Sequence, residues 1–266
     1  MAFDWDAAFS ALPWMLALGG TVWLISLPLR NASIIDSFWS LFFIAGATAF
    51  ALAAAAPGVR AALIAVLLGA WALRLSAYIT WRNWGHGEDR RYQAIRARNQ
   101  PHYAIKSLFY VFSLQAVLAW IVALPVMAAL GSQQPLGWLD AAGALLWLAG
   151  FLFETVGDWQ LARFKANPAN AGRVMDRGLW RYTRHPNYFG ESLVWWGFWL
   201  VAVSAGHAWT VVAPIVMTLL LLRVSGVALL EKDLQARHPA YAAYMHRTSA
   251  FLPGPPRRTD AGEKPA

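Results

Sequence analysis

Residues Ala61–Trp81 read AALIAVLLGAWALRLSAYITW, 21 residues interrupted by one charge, Arg74. A bilayer core takes about 20 apolar residues at the rise of an α-helix, so this stretch is written for lipid rather than for a soluble core. Six more stretches resemble it: Leu12–Leu29, Phe38–Ala56, Tyr103–Leu130, Leu136–Val156, Tyr188–Val203 and Trp209–Leu230. The fold expected is all-α, a polytopic membrane protein of about seven transmembrane helices. Tyr103–Leu130 is longer than one span needs, which predicts a tilt or an interfacial turn at Pro125. Tyr188–Val203 is the shortest. The first stretch is preceded by Asp4 and Asp6 with no Lys or Arg, and no small-residue cleavage site stands out, so it reads as a span and not a secretory leader.

Composition points the same way. Of 266 residues, 58% are hydrophobic and 14% charged, against roughly 45–50% and about 25% in soluble domains. Intrinsic disorder, a coiled coil and nearly all soluble folds are excluded. The chain has no Cys, which excludes disulfides, a thiolate nucleophile and Cys-ligated metal. The six His are scattered without an H-E-x-x-H pattern, so no metal site is expected. Gly85–His86–Gly87 stops after two glycines, and no G-x-x-x-x-G-K-[ST] occurs, so no Rossmann or P-loop nucleotide site is expected. One transmembrane domain over residues 1–253 with polar loops, and a disordered Pro-rich tail over 254–266, complete the plan.

The net charge of +8 is read through its distribution. Six basic residues lie between Arg82 and Lys106, six between Arg163 and Arg184, six between Lys232 and Lys264, and Arg30 follows the first span; Arg60 alone falls on the other side. This asymmetry predicts an outer N-terminus and a cytosolic C-terminus, with both long loops cytosolic. The basic excess therefore speaks for topology, with lipid bilayer rather than nucleic acid as partner and no protein partner evident. A further role for the loops would be to meet an anionic cofactor from the cytosol.

Ionisable residues within apolar spans are costly and point to function. Asp36 begins the second span, Arg74 lies in the third, Glu154 and Asp158 end the fifth four positions apart, and Arg223 and Glu231 sit eight apart on the seventh and its extension. The plain structural alternative is that these charges pair with one another or snorkel to the interface. The Glu154–Asp158 spacing puts two acceptors on one helix face, suited to a carboxamide and to ribose hydroxyls. The segment from Asp158 to Glu191, DWQLARFKANPANAGRVMDRGLWRYTRHPNYFGE, adds five Arg, Lys165, three Asn and the hydroxyls of Tyr182, Thr183 and Tyr188. Planar guanidinium groups suit phosphate oxygens.

Within that segment GLWRYTRHPNYFGE, Gly178–Glu191, resembles the cofactor motif of membrane steroid 5-alpha-reductases, sterol reductases and isoprenylcysteine carboxyl methyltransferases. The chain looks most like the bacterial steroid 5-alpha-reductase-like proteins of undefined substrate. Further matches are IIDSFW (Ile34–Trp39), WALRLSAYITWRNWGHGEDRRY (Trp71–Tyr92) and LLEKDLQARHPAYAAYMHRTSAFLP (Leu229–Pro253). The reductases carry Asn before the Tyr and bind NADPH; the methyltransferases bind S-adenosylmethionine. Asn187 tips the resemblance toward a reductase. By position Asp158, Lys165, Arg173, Asn187 and Glu191 match cofactor-pocket residues, with Lys165 in place of Arg. Glu154 stands where the family has Asn, and Glu231 where it has Tyr. Tyr182, Arg184, His185, Tyr188 and Arg223 complete the expected cofactor set.

The family's substrate-polarising Glu and Tyr are not reproduced. Ile35–Asp36 is the nearest equivalent of the first, and alignment on Arg74 puts Trp71 at the second, with Tyr78 two turns on. The resemblance thus implies NADPH-dependent reduction of a carbon–carbon double bond in an apolar, lipid-like enone, with Asp36, Tyr78 and Trp71 as catalytic candidates. Two alternatives stay open: a lipid or isoprenoid methyltransferase using S-adenosylmethionine, and a non-enzymatic protein binding lipid or nucleotide. On the topology, reporter fusions after Gly87 and after Gly172 should both report cytosol; an external signal from either would refute the orientation.

Overall fold

The computed structural model describes residues 2–54, 58–224, 227, 231, 234–235 and 239–257. Among them every regular element is helical: α1 (Trp5–Leu29), α2 (Ile35–Ala53), α3 (Val59–Asn83), α4 (Arg90–Arg98), α5 (Tyr103–Val122), α6 (Leu124–Leu130), α7 (Trp138–Ala166), α8 (Pro186–Ser204), α9 (Val212–Leu219) and α10 (Pro239–Arg247). Five helices are long and apolar enough to cross a bilayer: α1, the stretch Ala32–Ala53 containing α2, α3, α5 and α7. The expected sixth span falls on the 19-residue α8, which is not among those five. The expected seventh falls on the shorter apolar helix Ala208–Arg223, and its last residues lie partly outside the described ones.

The helix ends follow local chemistry. Asp4 caps α1 by accepting from the Ala7 N–H at 2.9 Å and Asp89 caps α4 by accepting from Arg91 N–H at 2.8 Å, satisfying donors that have no intrahelical partner. The stretch Tyr103–Leu130 does break before Pro125, at Ala123, and α6 starts there with Pro125 in its first turn. Proline tolerates a first turn but not a helix interior. All seven α6 residues are buried. The fifth span runs ten residues past its expected end at Val156, to Ala166. The polar sequence beyond Val156 holds good helix formers, its Arg163 stacks over Trp159 one turn back, and Arg163 and Lys165 suit a helix C-terminus. The segment expected to be a loop from Asp158 is therefore helical for its first nine residues.

The chain forms two compact units, Met1–Ala144 with Phe198–Ala213, and Leu145–Gly197 with Pro214–Ala266. In the first, Arg60 is the chief polar tie. It is fully buried. Its Nε and Nη2 donate to the two Asp140 oxygens at 2.7 and 2.9 Å. Its Nη1 donates to Ser132 Oγ at 2.7 Å and its Nη2 to the Pro135 carbonyl at 3.1 Å. Ser204 Oγ and the Gly137 N–H donate to the same carboxylate at 2.6 and 2.8 Å. A cation in the first turn of α3 opposes the helix dipole, and an anion in the first turn of α7 complements it. The pair offsets the one and uses the other. The sequence reading counted Arg60 as the far side's lone basic residue; it is spent inside the fold. Arg60→Met should lower stability by about 3–5 kcal/mol, since it strands a buried carboxylate, while Arg60→Met with Asp140→Leu should lose much less. Thermal unfolding in detergent compares them, and equal losses would contradict this account.

Candidate functional site

The second unit is built on a backbone contact between α7 and α8. A Cβ added to Gly190 would lie 2.4 Å from Glu154 N and 2.5 Å from Gly150 O. Only glycine permits this approach, a common device at helix interfaces in lipid. The contact sets Glu154, Asp158 and Glu191 within the helix pair, each buried at under 10% exposure. Asn187, in the first turn of α8, donates from Nδ2 to Asp158 Oδ1 at 3.1 Å. Tyr188 lies parallel to the His185 ring, centroids 5.5 Å apart. Lys165 and Arg173 are exposed, the first at the end of α7 and the second in the turn that follows.

Much of the expected cofactor motif makes contacts that hold the fold together. Gly178 has φ +59°, and a Cβ there would meet the Gln160 amide at 2.5 Å; Gln160 accepts from the Leu179 N–H at 3.0 Å. Trp180 Nε1 donates to the Gly157 carbonyl at 3.0 Å, and Tyr244 donates its hydroxyl to the Trp180 carbonyl. Thr183 Oγ1 donates to the Phe251 carbonyl at 2.8 Å. Pro186 opens α8, where a missing N–H costs nothing.

Arg184, expected in the cofactor set, has partners within the protein. Its Nε and Nη2 donate to the two Glu231 oxygens at 2.7 and 3.0 Å, and its Nη1 donates to the Met245 carbonyl at 2.9 Å and the Thr248 carbonyl. His185 Nε2 lies 3.1 Å from Glu231 Oε1. Arg184, His185 and Glu231 are thus a clasp between the motif and the C-terminal segment. Tyr182 is exposed, and its carbonyl accepts from Gly254 N–H at 3.0 Å. Gly254 and Arg257, expected in a disordered tail, are both backbone-bonded to the body, Arg257 N–H to Arg247 O at 2.8 Å; residues 258–266 lie outside the described ones. Arg223 is exposed at a π-helical turn, Leu220–Val224.

In the first unit Asp36 has Tyr92 and Arg91 as partners: Tyr92 donates its hydroxyl to Oδ1 at 2.5 Å and Arg91 Nη2 donates to Oδ2 at 2.9 Å. Gln115 Nε2 donates to the Tyr92 oxygen at 3.1 Å. Burial raises the Tyr92 phenol well above its ordinary value, and the neighbouring Asp36 charge adds to this, so the hydroxyl keeps its proton. Tyr78 is half-buried beside Trp81 with Arg82 over its ring. Trp71 is fully buried, packed edge-on against Phe43. Tyr92 and Gln115 were not singled out, because they lie 56 and 79 positions from Asp36 and no spacing rule links them. Gln115 follows a π-helical stretch, Leu108–Ser113, an irregularity often found at functional sites.

A model of a family described as a protein of unknown function, DUF1295, matches residues 22–248. The chain belongs to the DUF1295 family. An uncharacterized protein of Schizosaccharomyces pombe is 27% identical over 271 positions, covering 89% of this chain and 76% of that protein. No solved structure matches significantly. The DUF1295 match takes in Asp36, Tyr92, Arg60 with Asp140, and the whole α7–α8 site with its clasp.

Glu231 titrates against that clasp. Burial pushes its carboxyl up, but the hydrogen bonds from His185 and Arg184 outweigh this and hold it below the ordinary value. A lowered folded-state value contributes stability that is present above the ordinary carboxyl range and lost as pH falls through the lowered value. Wild type should therefore melt higher than Glu231→Gln at pH 7, and the gap should close as pH drops below about 4. A gap unchanged between pH 7 and pH 3 would refute the clasp.

Proposed function

We propose that this DUF1295 protein is a membrane-embedded, NADPH-dependent reductase of a carbon–carbon double bond in an apolar, lipid-like enone. We further propose seven transmembrane helices, with the α7–α8 site opening to the cytosol. The observation that carries the reading is the Asn187–Asp158 pair on the two helices that also bury Glu154 and Glu191, with exposed Lys165 at the end of α7 and Arg173 in the turn after it. The donor set suits the cofactor. Asn187 offers both a donor and an acceptor, and the carboxylates accept from an amide or from ribose hydroxyls. Asp158 and Lys165 stand seven residues apart on one helix, about 10 Å along its axis. A dinucleotide is long enough to reach from the acids to the cations.

NADPH, when bound, would supply the hydride that reduces the β carbon of the enone. The chain's part is to orient and to exclude water. Asn187 is fixed by Asp158, Tyr188 by its stack on His185, and the buried acids lie where a low dielectric strengthens each polar contact. An apolar substrate would enter from the lipid side.

A second reading rests on the acids. Three buried carboxylates in one helix pair also suit a cation, and S-adenosylmethionine carries a sulfonium and an ammonium. The alternative then is a lipid or isoprenoid methyltransferase; a non-enzymatic lipid- or nucleotide-binding protein is the third. Thermal unfolding of purified protein separates them. NADPH at a hundredfold excess over Kd should stabilise by about 2.7 kcal/mol, and Asn187→Ala or Arg173→Gln should weaken its binding by roughly 1–3 kcal/mol. Stabilisation by S-adenosylmethionine instead would favour the methyltransferase, and stabilisation by neither would remove both enzyme readings.

A further inference from the structure

Helix α4, RRYQAIRAR, carries four arginines on nine residues, and they divide into two sets. Arg91 and Arg96 face inward to carboxylates: Arg91 to Asp36 and Asp89 at 2.9 and 3.0 Å, Arg96 to Glu88 at 2.7 Å. Glu88 also accepts the Ala32 N–H at 2.7 Å. These contacts pin α4 beside the turn between α1 and α2, the end of the unit at which α3 stops and α5 starts. Every acid of the 82–106 stretch is consumed in them. Arg90 and Arg98 are exposed, as is Arg82 at the end of α3, and none of the three is ion-paired among the described residues. Beside them Trp81 and Trp84 are exposed, as are Ile105, Phe109 and Tyr110 in the first turns of α5.

Indole and phenol rings at the ends of membrane helices mark the headgroup level. A short helix that turns its acid-matched arginines inward leaves Arg90 and Arg98 outward at that level, with Arg82 at the end of α3 beside them. Arg90 and Arg98 are eight residues apart, about 12 Å along α4. We infer that Arg82, Arg90 and Arg98 form a binding surface for anionic phospholipid headgroups, with Trp81 and Trp84 seated among the adjoining acyl chains. The inference rests on the membrane embedding of the chain and is independent of the proposed reductase activity.

The test compares three full-length proteins: wild type, the triple variant Arg82→Gln/Arg90→Gln/Arg98→Gln, and a charge-matched control, Arg163→Gln/Arg177→Gln/Arg181→Gln. Each is placed in nanodiscs of phosphatidylcholine alone or with 30% phosphatidylglycerol. Phosphatidylglycerol retained after detergent extraction is read by native mass spectrometry, and melting temperature is measured alongside. Wild type and control should retain phosphatidylglycerol and melt higher in its presence. The α4 triple variant should lose both effects while melting like wild type in phosphatidylcholine. Each arginine removed should weaken headgroup association about fivefold, and the wild-type effect should fade at 1 M salt. Equal loss in the control would mean bulk charge and overturn the site. Full stabilisation by inorganic phosphate in phosphatidylcholine would mean a soluble-anion site and also overturn it. So would unaltered retention in the α4 variant.

Discussion

The approach of α7 to α8 at Gly150 and Gly190 governs the second unit. Backbone meets backbone there, with no side chain between. Lipid offers helices little hydrophobic reason to associate, so close packing and polar contacts must do it. Once the two backbones touch, the residues one and two turns away have fixed neighbours. Asp158 on one helix meets Asn187 on the other, and Glu154 and Glu191 are buried on the same two helices. The carboxylates are buried because the glycines are small.

Burying acids in a membrane helix pair is expensive, and a fold keeps such groups only where something repays the desolvation. The chain meets that cost in two ways. Asp140, Asp36 and Glu231 are held by arginines and hydroxyls in closed sets, and their work is to tie distant segments together. On α7 and α8 Asp158 is bonded to the Asn187 amide, and Glu154 and Glu191 are buried on the same two helices.

The lipid character and the helical class were legible from apolar run length. What a motif cannot tell is which of its polar residues face a ligand. In GLWRYTRHPNYFGE the Gly, Trp, Thr, Arg and His positions serve the backbone and the clasp, since a tight turn between helices needs its own hydrogen bonds met. Asn187 instead bonds to Asp158. Pairings across long separations were out of reach as well. Arg184 meets Glu231 47 positions on, and Asp36 meets Tyr92 56 positions on. Periodicity reports which face of a helix is buried and is silent on what lies opposite. The extra turns of α7 were missed for a related reason: apolar content marks where a helix leaves lipid, whereas hydrogen bonding decides where it ends.

Arg60 precedes Asp140 by 80 positions. Synthesis therefore delivers α2 and α3 to the bilayer with the guanidinium present and its carboxylate unmade, for roughly 4–16 s at about 5–20 residues per second. Through that interval the cation has only water and headgroups as company, and the first turn of α3 has nothing to seat against. The loop before α7 brings the Ser132 hydroxyl and the Pro135 carbonyl, α7 brings the counter-ion, and Ser204, 64 positions after Asp140, completes the set. The polar anchor of α3 is thus complete only after most of the bundle has been made.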